Sequence, residues 1–147
     1  MTAETLSEAD ALAARVGENM VHKSPVLRHW GIELMEIAAG AAKMRMRIRE
    51  DMSNLHGQCH GGVLFTMADA CFGFAANSYN DRTVAASCDI NFLKPAEVGD
   101  CVTAQAPEVW KRGRSGLYDV TLTNQNGDMI AIMRAHARLT KGTHIEP

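Results

Sequence analysis

No run in this 147-residue sequence approaches the 18 or more consecutive apolar positions of a membrane-spanning helix. The amino terminus also lacks the basic start and continuous apolar stretch of a secretory signal. The chain is therefore expected in the cytoplasm and away from membranes. Charge of one sign is missing too: 15 Lys plus Arg face 17 Asp plus Glu, a formal net charge of -2. That leaves no surplus for a phosphate backbone, so nucleic acid is not the expected partner. The four cysteines, Cys59, Cys71, Cys88 and Cys101, form no CxxC pair. A chain of this length can bury its own core without covalent staples, so reduced thiols are expected. Repeats, linkers and low-complexity tracts are absent. What is present, 46% apolar and 22% charged residues, suits one compact core rather than two domains.

The hydrophobic period then divides the chain. Residues 5–22 place Leu6, Ala9, Ala13, Val16 and Met20 at helical spacing, and Thr5 with Glu8 resembles a capping box. Past Pro25, residues 31–37 and 41–48 read as two strands joined at Ala38-Ala39-Gly40. The second alternates strictly, Met44, Met46 and Ile48 against Lys43, Arg45, Arg47 and Arg49, the pattern of a half-buried hairpin. A polar loop over 52–59 follows. From Gly61 to Asn77 apolar residues fall at three- and four-residue intervals with almost no charge, which predicts a buried helix. Four more alternating runs, 83–93, 100–111, 116–124 and 128–139, turn at 113–116 and at Asn126-Gly127, and the last three read as a meander. This order makes the class α+β, an antiparallel sheet with one face on the apolar helix. Residues 1–25 form the opening helix and its connection, 26–140 the main domain, and 141–147 a tail expected to fray.

Asp69 stands alone in the apolar helix, the one acidic or basic side chain between His60 and Asp81. An unpartnered buried carboxylate costs on the order of several kcal/mol. Either Asp69 serves chemistry, or it lies on a narrow exposed stripe or bonds nearby backbone. Gly61-Gly62 opens the same helix, where the first N–H groups lack intrahelical partners and the dipole favours negative charge. A glycine there lets a carbonyl approach, so the Gly61 N–H is a candidate oxyanion donor, against the plainer reading of an ordinary helix start. Asp69 lies about 12 Å along the axis and about 80° around it from Gly61, so one helix does not easily aim both at one carbon. Two helices antiparallel across a two-fold axis would pair Gly61 of one chain with Asp69 of the other, and the hypothesis requires a dimer.

His56 and His60 are four apart, but Gly57 and the loop composition weaken a metal reading, and no metal is expected. His60 is expected to orient the Gly61 turn or to cap the helix through a ring nitrogen. Cys59 beside it has no evident activating partner and reads as a buried thiol. The basic face of Lys43, Arg45, Arg47 and Arg49 reads as solvated surface. The turn cluster Lys111, Arg112 and Arg114 is the better phosphate candidate, because Gly113 and Gly116 let donors converge.

The run from His60 to Asp69, HGGVLFTMAD, with Phe72, Ala76-Asn77-Ser78 and Ser87-Cys88-Asp89-Ile90-Asn91-Phe92-Leu93-Lys94-Pro95, resembles the hotdog-fold acyl-CoA thioesterases of the phenylacetate-degradation (PaaI) type. The likeness extends from about Val26 to Leu139. It implies a long central helix wrapped by an antiparallel sheet, homodimers with joined sheets, and two dimers per homotetramer. It implies that Asp69 attacks the thioester or activates water, that Gly61 supplies an oxyanion N–H, and that Asn54 positions nucleophile or water. His60 would support the oxyanion turn, and Ser87 would assist the water or the carboxylate. The CoA phosphates would lie near Lys94, Lys111, Arg112 and Arg114. A thioester is already electrophilic, so a carboxylate, an oxyanion donor and a water suffice and no cofactor is implied. The expected reaction is hydrolysis of an acyl-CoA, with phenylacetyl-CoA or an aryl analogue favoured by the resemblance. The alternatives are a medium- or long-chain acyl-CoA or acyl-ACP thioesterase and a non-catalytic acyl-CoA-binding hotdog module.

Overall fold

Ser7, two residues beyond Thr5, starts the first helix in the computed structural model, which describes residues 5–147. Helix α1 (Glu8–His22) is capped by the Ser7 hydroxyl, which accepts from the Asp10 N–H at 3.1 Å, so the expected Thr5 capping box is replaced by a cap nearer the helix. The Asp10 carboxylate in turn accepts from the Ala39 N–H at 2.9 Å and ties α1 to the turn after the first strand. A short helix α2 (Pro25–Trp30) follows, unannounced by periodicity because six residues hold fewer than two turns. Pro25 suits its first turn, and Gly31 at φ 65° ends it in the left-handed region.

Strands β1 (Glu33–Ala38) and β2 (Ala41–Arg47) form the expected hairpin. Met44, Met46 and Ile48 are buried, while Arg45 and Arg47 face solvent, so the alternation held its register. A single 3₁₀ turn (Glu50–Met52) and a loop lead to α3 (Gly61–Asn77), the helix over which the sheet closes. Strands β3 (Asp81–Phe92), β4 (Cys101–Arg112), β5 (Ser115–Thr123) and β6 (Met129–Thr143) complete an antiparallel six-stranded sheet in the order β1-β2-β4-β5-β6-β3. The β4-β5-β6 meander is as expected. Strand β3 pairs with β6 and leaves its other edge open.

The inner face of the sheet and α3 share one core, in which the Phe72 and Tyr118 rings meet edge-on at 5.4 Å. At the far end of α3, Glu108 accepts from the Tyr79 hydroxyl at 2.9 Å and the Tyr118 hydroxyl at 3.1 Å, fastening β4 and β5 to the residues after the helix. The tail departs from expectation: β6 runs on to Thr143, and the Asn80 side chain accepts from the His144 and Ile145 N–H groups and donates to the Ile145 carbonyl. Three bonds from one amide hold a segment that composition alone leaves loose. Among the described residues no helix is long and apolar enough to cross a membrane.

Candidate functional site

The start of α3 is built by the strand-like segment before it. The Cys59 N–H donates to the Ala96 carbonyl at 2.8 Å and the His60 N–H to the Met52 carbonyl at 2.7 Å, fixing where the helix can begin. His60 is the N-cap, and its Nδ1 accepts from the Gly62 N–H at 2.9 Å. The expected capping role of the ring nitrogen is thus realised, with Nδ1 as the acceptor. The Gly61 N–H, one residue earlier, donates to no protein group among the described residues. It is an orphan donor at the positive end of a 17-residue helix.

Asn54 governs the preceding loop. Its side-chain oxygen accepts from the His56 N–H at 2.8 Å and the Gln58 N–H at 3.2 Å, and its own N–H donates to the Gln58 carbonyl at 2.7 Å. Gly57 at φ 78° allows the reversal. The oxygen is committed to the loop, which leaves the amide nitrogen as the group Asn54 can offer a ligand.

Asp69 is exposed, which meets the narrow-stripe alternative rather than a place inside the apolar core. It lies on a stripe of α3 with Gly62, Thr66, Ala70 and Gly73, while Met67, Ala68, Cys71 and Phe72 turn into the core. Those small residues carried no charge to mark the stripe, which is why composition made the whole helix look internal. The carboxylate has no ion-pair or hydrogen-bond partner among the described residues. Although it reaches the surface, apolar atoms crowded around it remove part of its hydration and raise its pKa above the usual carboxylate range. The negative charge in turn helps raise the Cys88 thiol, after the larger effect of that thiol's own burial.

The other sequence candidates separate. Ser87 pairs with His136 on the face of the sheet turned away from α3, whereas Cys88, opposite the buried Ala135, turns toward the helix. A bulge between Ala85 and Ser87 sets this phase. Ser87 lines a groove of about 1030 Å³ on the outer face with Trp110, Leu117, Ile132, Arg134 and His136, a lining that includes neither Gly61 nor Asp69. The size of that groove reflects the twist of an uncovered sheet, and it holds none of the other catalytic candidates.

Lys94 makes a 2.6 Å ion pair with Asp128, and Glu97 and Asp100 add negative field, so it offers little free positive charge. Lys111 sits over the Tyr79 ring at 4.5 Å, and Arg114 donates to the Leu139 carbonyl at 3.3 Å, while Arg112 is exposed. Phe92, two residues before Lys94, pairs with Ala131, and Ser115, in the basic turn, pairs with Arg138. Seven residues of β6 separate those partners, about 23 Å at strand rise, so one chain does not bring Lys94 and the turn to the same phosphate. Residue pattern assigns no role to Phe92, whose ring lies against the α-carbon of Gly61: a Cβ built there would be 3.1 Å from the ring tip. An aromatic near the end of an alternating run, just before Lys94-Pro95, was the available signal.

Residues 56–131 match the family described as Thioesterase superfamily. The acyl-coenzyme A thioesterase PaaI of Escherichia coli (strain K12) is 36% identical over 113 residues, covering 77% of this chain and 81% of that protein. The solved structure of the E. coli PaaI protein from the phenylacetic acid degradation operon agrees with a TM-score of 0.91 at 32% identity, over 92% of this chain and 99% of that one. Acyl-coenzyme A thioesterase 13 of Homo sapiens is 30% identical over 104 residues, 68% of this chain and 74% of that protein. By fold, motif and these relatives together, the chain belongs to the thioesterase superfamily, as a thioester hydrolase of the PaaI type with the hotdog fold.

Proposed function

We propose that this chain hydrolyses acyl-CoA thioesters, with phenylacetyl-CoA or a hydroxylated or aryl analogue preferred, in a homodimer that brings Gly61 of one protomer to Asp69 of its partner. The observation that carries the reading is the presence on one helix of an unused N-terminal amide, at the half-buried Gly61, and an exposed, unpartnered carboxylate eight residues on. Two such helices, antiparallel across a two-fold axis, meet amide to carboxylate twice. The open edge of β3, with Val84 exposed at its start, is where the two sheets join in this arrangement. Pairing of two dimers gives the tetramer that the family resemblance implies.

The thioester carbonyl oxygen accepts the Gly61 N–H as negative charge gathers on it, and His60 holds the helix start so that this amide needs no reorganisation. Asn54 offers its amide nitrogen to the same oxygen or to the water. The raised pKa of Asp69 makes its carboxylate a stronger base than an ordinary one. In one route Asp69 takes a proton from water as the water oxygen adds to the carbonyl. In the other the carboxylate adds first, and water then opens the resulting anhydride. Both break the carbon–sulfur bond, release the CoA thiolate to be protonated, and leave the free acid. Neither route calls for a metal or a further cofactor. The CoA phosphates lie near Lys111, Arg112 and Arg114, whereas Lys94 is committed to Asp128 and Ser87, on the other face of β3, is given no step. A reducing cytoplasm suits the four cysteines, which are free.

Thiol release from phenylacetyl-CoA, benzoyl-CoA and fatty acyl-CoAs, with mass measured by light scattering, tests the reading. Asp69→Ala and Asp69→Asn should lose about 10²–10⁴ in kcat/KM, as expected for removal of a positioned acid–base group. Wild-type rates in both variants, or full activity in a monomer at high dilution, would refute it, and a fatty-acyl preference would replace the aryl assignment.

A further inference from the structure

We propose that Phe92 is a specificity-determining residue of the thioester site: its ring fills the side-chain space that Gly61 leaves empty, and the acyl group is read against the ring's free face. The proposal deepens the hydrolase reading above and rests on it.

Among the four phenylalanines of the sequence, Phe72 and Phe74 are buried in the core and Phe65 is partly buried against it, but Phe92 is 53% exposed. Core packing does not account for a large ring left half in water at the last residue of an edge strand. Its place does. A Cβ on Gly61 would lie 3.1 Å from Cζ, 3.4 Å from Cε1 and 3.5 Å from Cε2 of Phe92, so the ring tip sits where any other residue would put its side chain. Gly61 is not at a positive φ, so its backbone does not itself demand glycine. The neighbouring ring does, if it is to stay in place.

The wall continues along β3. Ile90 and Cys88 turn the same way as Phe92, both partly buried against the core, and Cys88 comes close enough to Asp69 to feel its charge. Phe92, Ile90 and Cys88 therefore run beside α3 from the orphan Gly61 amide toward the same protomer's Asp69, which in the proposed dimer serves the second site, so Phe92 is the member of the wall at the Gly61 amide. A substrate whose carbonyl reaches the Gly61 N–H passes the Phe92 ring with whatever lies next to that carbonyl. An aryl or methylene group there meets an apolar face, and a shorter acyl group leaves the ring wet.

Phe92→Ala, Phe92→Leu and Phe92→Tyr, assayed as full-length protein on acetyl-, hexanoyl-, benzoyl- and phenylacetyl-CoA with kcat and KM separated, test this. In Phe92→Ala the kcat/KM for the preferred acyl group should fall about 10- to 100-fold while that for acetyl-CoA changes little, compressing the preference. Phe92→Tyr should keep it, and Phe92→Leu, which retains an apolar side chain if Ala weakens folding, should lie between. Melting temperature and assembly mass should match wild type in the Leu and Tyr variants. An equal loss on every thioester, unchanged preference in the Ala and Leu variants, or a change in assembly mass across the series would make Phe92 a packing or interface residue and overturn the proposal. Wild-type rates in Asp69→Asn would instead overturn the hydrolase reading, and this proposal with it.

Discussion

Replacing Gly61 by Ala separates a glycine kept for catalysis from one kept for folding. Position 61 is the first residue of α3 and has no positive φ, so alanine fits the backbone and gains part of the 0.5–1 kcal/mol, roughly, by which alanine exceeds glycine inside a helix. Against this, the new Cβ would sit 3.1 Å from the Phe92 ring, a few tenths of an ångström inside comfortable contact. That ring is 53% exposed and can swing toward solvent at small cost. The terms nearly cancel, and the net change should stay within about 1 kcal/mol, a melting shift under about 4 °C for a domain of this size. Activity should not be spared. Alanine keeps the backbone N–H, but the added methyl and displaced ring obstruct approach to it, and an obstruction that breaks the oxyanion hydrogen bond costs about 10²-fold or more in kcat. The measurement is a thermal melt beside acyl-CoA turnover on the same preparation. A Gly61→Ala enzyme with wild-type kcat would refute the oxyanion assignment, and a large fall in melting temperature would show that glycine is there for the fold.

Gly40→Ala should behave in the opposite way: at φ 77° its Cβ would lie 2.7 Å from the Tyr79 hydroxyl and 3.1 Å from a Glu108 oxygen, so left-handed strain and a damaged hydrogen bond should together cost about 3 kcal/mol in denaturant unfolding. A variant as stable as wild type would mean that the Tyr79–Glu108–Tyr118 cluster fastens nothing. In the pH profile of kcat/KM, activity should fall with decreasing pH as Asp69 takes up a proton, at a pH above the ordinary carboxylate value, and Asp69→Asn should lack that limb. Because loss of hydration raises the folded pKa of Asp69, stability falls as pH rises from the ordinary carboxylate value to the raised one, so Asp69→Asn should melt above wild type at pH 7 while losing activity; a lower melt would contradict the desolvated environment. Burial pushes the Cys59 thiol to about 11 and the Cys71 thiol to about 12, so both should resist alkylation at neutral pH in the native state and react on unfolding, and rapid native labelling would refute their packing.

The sequence carried the elements whose pattern is local. A 3.6-residue apolar period set α3 to Gly61–Asn77, and strict alternation placed Met44, Met46 and Ile48 inward. The His60 cap was equally readable, since a cap bonds within two or three residues of itself. The tail was not, because its order depends on Asn80, some 65 positions away. The face of Ser87 was not, because the bulge after Ala85 shifts the phase of alternation and sends Cys88 toward the helix instead.

Residue types and short spacings thus determined the class of fold, the motif beginning at His60 and the two groups, Gly61 and Asp69, on which hydrolysis is proposed to turn. Only tertiary structure decided how those groups are presented. It put Asp69 on an open stripe rather than in the core, spent the charge of Lys94 on Asp128, and laid the Phe92 ring over Gly61. The reason is physical: exposure, ion pairing and ring contact depend on what the folded chain brings in from β3 and from the loop before β6, and no local period encodes those distances.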